Sequence, residues 1–194
     1  MRVIAGTARS LPLKTPEGTG TRPTTDRIKE TLFNMLQPYL DGCVFFDLFS
    51  GSGGIGIEAL SRGARRAYFV EKDRRAAACI EDNLRFTKLS DRAVLLREDV
   101  CGALHRIREE AADIIFMDPP YEKELEKQTL SVLAKREFVT EDTLIVMEGS
   151  LKTDFSYVEQ YGFSVVKEKR YKTNKHMFIR RSRQDESGDL SREL

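Results

Sequence analysis

Apolar and polar positions fall in blocks along this chain, and from residue 43 onward the blocks read strand, helix, strand, helix. Val44 to Phe49 is a continuous apolar run broken only by Asp47, the pattern of a strand buried on both faces. Ile55 to Leu60 reads as a helix closed by Gly63. Ala67 to Val70 is a second strand, and Asp73 can cap a helix that runs through Leu84. Ala93 to Leu96 gives a third strand, followed by a short helix at Ala103 to Ile107. Asp113 to Met117 is the fourth strand, Glu124 to Ala134 a helix, and Thr143 to Met147 the fifth strand. This alternation predicts a parallel sheet with helices on both faces. After Gly149 the rhythm changes. Phe163 to Lys167 and Met177 to Arg180 are strands with no room for a helix between them, so they should pair antiparallel at one sheet edge. The turn between them, Lys172-Thr173-Asn174-Lys175-His176, is basic.

Ahead of the alternation, Val3 to Ala5 and Leu11 to Leu13 suggest a small hairpin around Gly6-Thr7, with a Pro/Gly/Thr loop at Thr15 to Gly20. Pro23-Thr24-Thr25-Asp26 offers N-capping residues to a helix carrying Ile28, Leu32, Met35 and Leu36, expected to stop before Pro38. Residues 183–194 are polar without apolar periodicity and read as a disordered tail. The expected organisation is a basic hairpin extension over 1–21, one domain over 22–182, and that tail. A chain of 194 residues, 40% hydrophobic, is long enough for one well-buried domain.

Composition excludes several classes. No apolar run approaches the roughly 18 residues of a membrane span, and the first residues lack a signal-peptide core. Cys43, Cys79 and Cys101 form no C-x-x-C pair, and His105 and His176 are the only histidines, so no metal site is expected. A reducing, cytoplasmic compartment fits, with no membrane partner. The net charge of +1 says nothing for nucleic acid, but the cations are uneven. Arg2, Arg9, Lys14 and Arg22 crowd the beginning, and Lys167, Lys169, Arg170, Lys172 and Lys175 lie near the end.

Candidate chemistry gathers where strands end. Phe49-Ser50-Gly51-Ser52-Gly53-Gly54-Ile55-Gly56 follows the first strand and opens a helix, so Gly51, Gly53 and Gly56 satisfy G-x-G-x-x-G in a meaningful context. Glu71, twenty residues after Gly51, is placed to hold ribose hydroxyls. A nicotinamide or flavin dinucleotide is the first reading of such a loop. Asp47 argues against it, because a carboxylate beside the loop repels a pyrophosphate by several kcal/mol at about 4 Å. S-Adenosylmethionine carries an ammonium and a sulfonium and no phosphate, so the same acid attracts it. Asp99 ends the third strand, as an acceptor for an adenine amine or as a helix cap. Asp118-Pro119-Pro120-Tyr121 ends the fourth. Two prolines remove backbone donors and leave an acceptor ledge of carboxylate and carbonyls, with a ring alongside. Such a ledge suits a planar group bearing an NH2; it is also ordinary turn chemistry.

Asp-x-Phe-x-Gly-x-Gly together with Asp118-Pro119-Pro120-Tyr121 resembles the class I S-adenosylmethionine-dependent amino-methyltransferases. Arg22-Pro23-Thr24-Thr25-Asp26-Arg27 and Glu30-Thr31-Leu32-Phe33-Asn34-Met35-Leu36, preceded by Arg2-Val3-Ile4-Ala5-Gly6, narrow this. They resemble the RsmD-type enzymes that methylate guanine N2 in bacterial small-subunit (16S) ribosomal RNA. The resemblance implies a Rossmann-like, mostly parallel sheet of seven strands in the order 3-2-1-4-5-7-6. It implies S-adenosylmethionine as cofactor and small-subunit RNA, in an assembled or partly assembled 30S particle, as partner of a monomer. By resemblance, Asp47, Ser50, Gly51 and Gly53 hold the methionine moiety, Glu71 with Lys72 the ribose, and Asp99 with Val100 the adenine. Asp118, Pro119 and Tyr121 face the target base. Arg2, Arg9, Lys14, Arg22, Lys172 and Lys175 are the candidate RNA contacts. The basic turn and the polar tail depart from the family pattern. Three other readings stay open: adenine-N6 or cytosine-N4 methylation of DNA or another RNA, a non-catalytic RNA-binding module, and an NAD-dependent oxidoreductase.

Overall fold

The computed structural model describes residues 1–16, 25–120 and 124–183. Its strands are β1 (Val44–Leu48), β2 (Arg66–Val70), β3 (Ala93–Leu96), β4 (Ile114–Met117), β5 (Leu144–Ser150), β6 (Phe163–Arg170) and β7 (Asn174–Arg181). They form one sheet in the order β3-β2-β1-β4-β5-β7-β6, the order the resemblance implied. Strands β1 to β5 pair parallel, and β7 pairs antiparallel with both β5 and β6. The helices are α1 (Asp26–Leu40), α2 (Gly54–Ser61), α3 (Arg74–Thr87), α4 (Val100–Arg106) and α5 (Leu125–Leu133).

The period of two along each strand divides the core in two. Phe45, Phe69, Ile114, Phe116 and Val146 pack with Leu32, Phe33 and Leu36 of α1, Ile57 and Leu60 of α2, and Ile80 and Leu84 of α3. Phe46, Leu48, Ile115, Met117 and Ile145 face the opposite way, toward Leu104 of α4 and Leu130 and Leu133 of α5. Both sheet faces are therefore covered, as the continuous apolar strands required.

Three local expectations are corrected. Helix α1 does not stop before Pro38 but runs through it to Leu40. Proline forfeits one intrahelical hydrogen bond, yet Leu40 is fully buried in the first core, and that burial holds the last turn in place. The N-terminal hairpin has antiparallel pairing but no strands: a single bridge joins Arg2 and Pro12, flanked by the Val3 N–H donating to the Leu11 carbonyl. The supposed basic turn is mostly strand. Only residues 171–173 turn, and Asn174, Lys175 and His176 begin β7 as buried residues. The Thr15–Gly20 loop in part, the Pro23-Thr24 cap, Arg22, Tyr121 and the tail from residue 184 lie outside the described residues.

Buried polar groups fasten the N-terminal segment to the domain. The Glu58 carboxylate, on α2, accepts from the Ile4 and Ala5 N–H groups at 2.8 and 3.0 Å. It also pairs with Lys29 at 3.4 Å and Arg62 at 2.8 Å. Ser61 Oγ accepts from the Ala8 N–H and donates to the Ala5 carbonyl. Asn83 of α3 accepts from the Lys14 N–H and donates to the carbonyls of Lys14 and Ser52. Asn83 thus ties this segment directly to the glycine loop.

Candidate active site

Parallel strands deliver their carboxyl ends to one rim, and the order of connection reverses between β1 and β4, where open α/β sheets bind ligands. Residues 49–53 form the loop at that point. Phe49 and Gly51 are both left-handed, with φ of 63° and 57°. A Cβ built on Gly51 would meet nothing within 4 Å, so the loop presents an open face there. Gly56 does the opposite: a Cβ would stand 2.4 Å from the Phe69 ring, so this glycine lets α2 press onto β2. Ser50 Oγ donates to the Asp47 carbonyl and accepts from the Val70 N–H, pinning the loop across β1 and β2.

Asp47 is buried beneath the loop, its carboxylate accepting from the Gly56 N–H at 2.8 Å. Burial pushes its carboxyl well above the usual range, the single backbone donor opposes that, and the carboxylates of Glu71 and Asp118 add to it. Glu71 follows β2 and accepts from the Gly51 N–H at 2.9 Å and the Asp73 N–H at 2.8 Å. The loop donor a pyrophosphate would use therefore faces a carboxylate, which disfavours a dinucleotide and suits a cation. Lys72 beside it is exposed. Asp99 caps α4, accepting from the Gly102 N–H at 3.0 Å, while Val100 is buried in the second core. Of the expected cofactor residues, Asp47, Ser50, Gly51, Gly53 and Glu71 come together at the loop. Asp99 and Val100 lie at the next strand end, and Asp99 serves as the helix cap.

Beyond β4, Asp118 and Pro119 stand next to a group that sequence reasoning missed. The β4–β5 register pairs Met117 with Met147, so Asp118 and Glu148 follow at neighbouring strand ends. Burial, and then the Glu148 carboxylate, raise the Asp118 pKa to about 7. Glu148 accepts from Asn174 Nδ2 at 2.6 Å and bonds His176 Nε2 at 3.0 Å; Tyr171 Oη lies 3.1 Å from His176 Nδ1. A carboxylate only accepts, so in the bond to Glu148 the donor is His176 Nε2. Glu148 would have been found by the same rule that selected the other acids, had the fifth strand not been ended at Met147.

The candidate RNA contacts are scattered. Arg2 is exposed and pairs with Asp26, and Lys14 is exposed and pairs with Asp82. Arg9 is exposed, and so is Lys172 in the turn. Lys175 is corrected: only 7% exposed, it lies in β7 over the Phe155 ring with Nζ 3.5 Å from Glu168, so it faces the interior.

A seven-stranded sheet of this order, with a glycine loop and acids lining its rim, defines a class I methyltransferase. The chain belongs to the family described as conserved hypothetical protein 95, whose model matches residues 1–180, and the resemblance to RsmD-type enzymes is borne out. The chain is 45% identical over 150 residues to "Putative rRNA methyltransferase YlbH" of Bacillus subtilis, covering 76% of this chain and 82% of that protein. It is 34% identical over 171 residues to "Ribosomal RNA small subunit methyltransferase D" of Haemophilus influenzae, covering 87% and 88%. A solved structure, "Putative methyltransferase yhhF from Escherichia coli", superposes with a TM-score of 0.80 at 31% identity, covering 95% of this chain and 99% of that one. The protein is a methyltransferase.

Proposed function

We propose that this protein transfers a methyl group from S-adenosylmethionine to the exocyclic N2 amine of a guanine in small-subunit ribosomal RNA. The observation that carries this reading is the place of Asp118: it follows β4, which lies between β1 with the cofactor-side acid Asp47 and β5 with Glu148. Relatives named for small-subunit ribosomal RNA support the polymer. The ledge chemistry supports an amine as the target. We take the protein to act as a monomer, on a 30S particle, assembled or in assembly, as its substrate. Free Cys43, Cys79 and Cys101 support a cytoplasmic setting. Among the described residues no helix is long and apolar enough to cross a membrane. We divide the chain functionally into the extension over 1–21 and the catalytic domain over 22–182.

S-Adenosylmethionine, when bound, supplies a methyl electrophile on a positively charged sulfur. Asp47 and residues 50–53 would hold its methionine end and Glu71 with Lys72 its ribose; Asp99 and Val100 would flank the adenine side. Guanine N2 is a weak nucleophile because its lone pair is delocalised into the ring. The Asp118 carboxylate and Pro119 carbonyl accept the amine's two N–H bonds and so turn the lone pair outward. The same acceptors stabilise positive charge as it develops on nitrogen, and they need no reorganisation to do so. Methylation makes the amine's proton strongly acidic, so it passes to Asp118 or to water and no strong base is required. Tyr121 is assigned to stacking on the base.

The test is methyl transfer by the purified protein to 30S particles, to protein-free 16S RNA and to DNA, followed by nucleoside digestion and mass spectrometry. N2-methylguanosine from the ribosomal substrate is expected. N6-methyladenine or N4-methylcytosine as the product would replace this reading.

Glu71→Ala should weaken S-adenosylhomocysteine binding by about 1.5–3 kcal/mol, the scale of a hydrogen bond to a charged group. Calorimetry that finds wild-type affinity removes Glu71 from the site. The pH profile is a second readout. Asp118 offers its negative charge to the developing cation only when ionised, so kcat/KM should rise with pH around a midpoint near 7. Glu148→Gln removes the neighbouring charge, and the midpoint should move to lower pH; an unmoved midpoint would detach Glu148 from Asp118. The stability sign is opposite. A raised carboxyl keeps its proton in the folded state while the unfolded chain releases it near 4, so this group's contribution falls as pH climbs from about 4 to 7.

A further inference from the structure

A cleft of about 550 Å³ opens between the first turns of α1 and the turn joining β6 to β7. Arg27, Thr31, Lys169, Arg170, Tyr171 and Lys172 are among its lining residues; among the described residues none of those that line it is Asp or Glu. Arg27 and Lys172 are exposed, and Lys169 is half-buried. Arg170 is partly offset by Glu168 at 3.5 Å, an acid that Lys175 also approaches at 3.5 Å. A chain whose net charge is +1 therefore concentrates cations on one concave surface.

Tyr171 connects this cleft to the acids. Its ring lies in the wall, and its hydroxyl bonds His176, which holds Glu148, the neighbour of Asp118. A strand seated among the cations would thus pass beside the place where the target amine is read. Cations along an open groove with one aromatic ring are the combination that follows a single-stranded backbone while leaving its bases free to turn. By contrast, the N-terminal cations are spread over a segment fastened to α2 and α3, and Arg2 and Lys14 are paired with acids.

We propose that the cleft between α1 and the β6–β7 turn holds the phosphates of a single-stranded RNA segment flanking the target nucleotide. The assignment rests on the methyl-transfer reading above, and the test separates the two. Arg27→Gln, Lys169→Gln and Lys172→Gln are combined in the full chain, and a second variant neutralises Arg2, Arg9 and Lys14. Binding to a single-stranded oligonucleotide of about 12 residues, a length within the span of known single-strand sites, is followed by fluorescence anisotropy across a salt series. Loss of three phosphate contacts should lower the log–log salt slope by about two units. KM for small-subunit RNA should rise with it, while S-adenosylhomocysteine affinity and the thermal midpoint stay at wild-type values. The N-terminal variant should keep nearly the wild-type slope. If the wild type methylates small-subunit RNA but the cleft variant keeps the wild-type slope and KM, the cleft assignment is overturned and the methylation reading stands. Loss of slope in the N-terminal variant alone would overturn it too, in favour of that segment. If the wild type modifies only DNA or a protein, the methylation reading falls and the cleft assignment falls with it.

Discussion

Asp118→Ala should reduce methyl transfer by roughly 10³-fold or more while leaving S-adenosylhomocysteine affinity within a few-fold. A single preorganised group aimed at developing charge contributes about 10²–10³ in rate, and Asp118 also orients the amine. The prolines sharpen the loss, since Pro119 and Pro120 bring no N–H and the remaining ledge has only carbonyl oxygens. Asp118→Asn separates two contributions: its amide oxygen still accepts one N–H, but the negative charge is gone. It should fall between wild type and Asp118→Ala and lose the rise of kcat/KM near pH 7. Single-turnover rates with saturating cofactor are the measurement. An alanine variant with near-normal turnover would remove Asp118 from the chemistry, and one that fails to bind S-adenosylhomocysteine would move it to the cofactor side.

The rim was legible because its signals are local. A buried parallel strand is written as a short apolar run, and an acid near the close of the run marks its carboxyl end. Asp47, Glu71, Asp99 and Asp118 could be placed on one edge before any contact was known, and the sheet order puts them there. What escaped depends on pairing between distant segments. Glu148 and His176 face each other only because β5 and β7 run antiparallel in that register. Asn174 and Lys175 looked like turn residues because a polar, basic run rarely begins a buried strand; here Glu148, Glu168 and the Phe155 ring supply their partners. Pro38 misled for a related reason. The local rule for proline is sound, but burial of Leu40 outweighs one forfeited hydrogen bond. Lys29 and Glu58 carried no signal either, since charged residues on a helix ordinarily face water.

That last pair carries the largest expected stability effect. Glu58 is fully buried and Lys29 is 1% exposed, so each is desolvated and depends on the other. Burial draws the Lys29 ammonium below its usual pKa, and Glu58 opposes that shift. Glu58→Ala would leave the ammonium uncompensated, strip the Ile4 and Ala5 N–H groups of their acceptor, and loosen Arg62. Breaking a buried pair from one side costs about 3–5 kcal/mol, a large share of the roughly 5–15 kcal/mol that holds a domain folded. Urea denaturation should show a correspondingly lower midpoint. Combining Lys29→Met with Glu58→Gln should cost less than Glu58→Ala alone, because the Lys29 ammonium goes with its partner, Arg62 is the one charge left without a carboxylate, and the glutamine oxygen still accepts from one backbone N–H. A Glu58→Ala midpoint equivalent to less than about 1 kcal/mol of loss, the range of exposed pairs, would show that the charge is not desolvated in solution. The effect should reach the cofactor as well. A Cβ on Gly54 would stand 2.3 Å from Met1 Sδ, so the segment that Glu58 anchors packs directly on the glycine loop. S-Adenosylhomocysteine affinity should therefore fall in Glu58→Ala even where the protein remains folded, and recover in part in the double variant as the segment docks again.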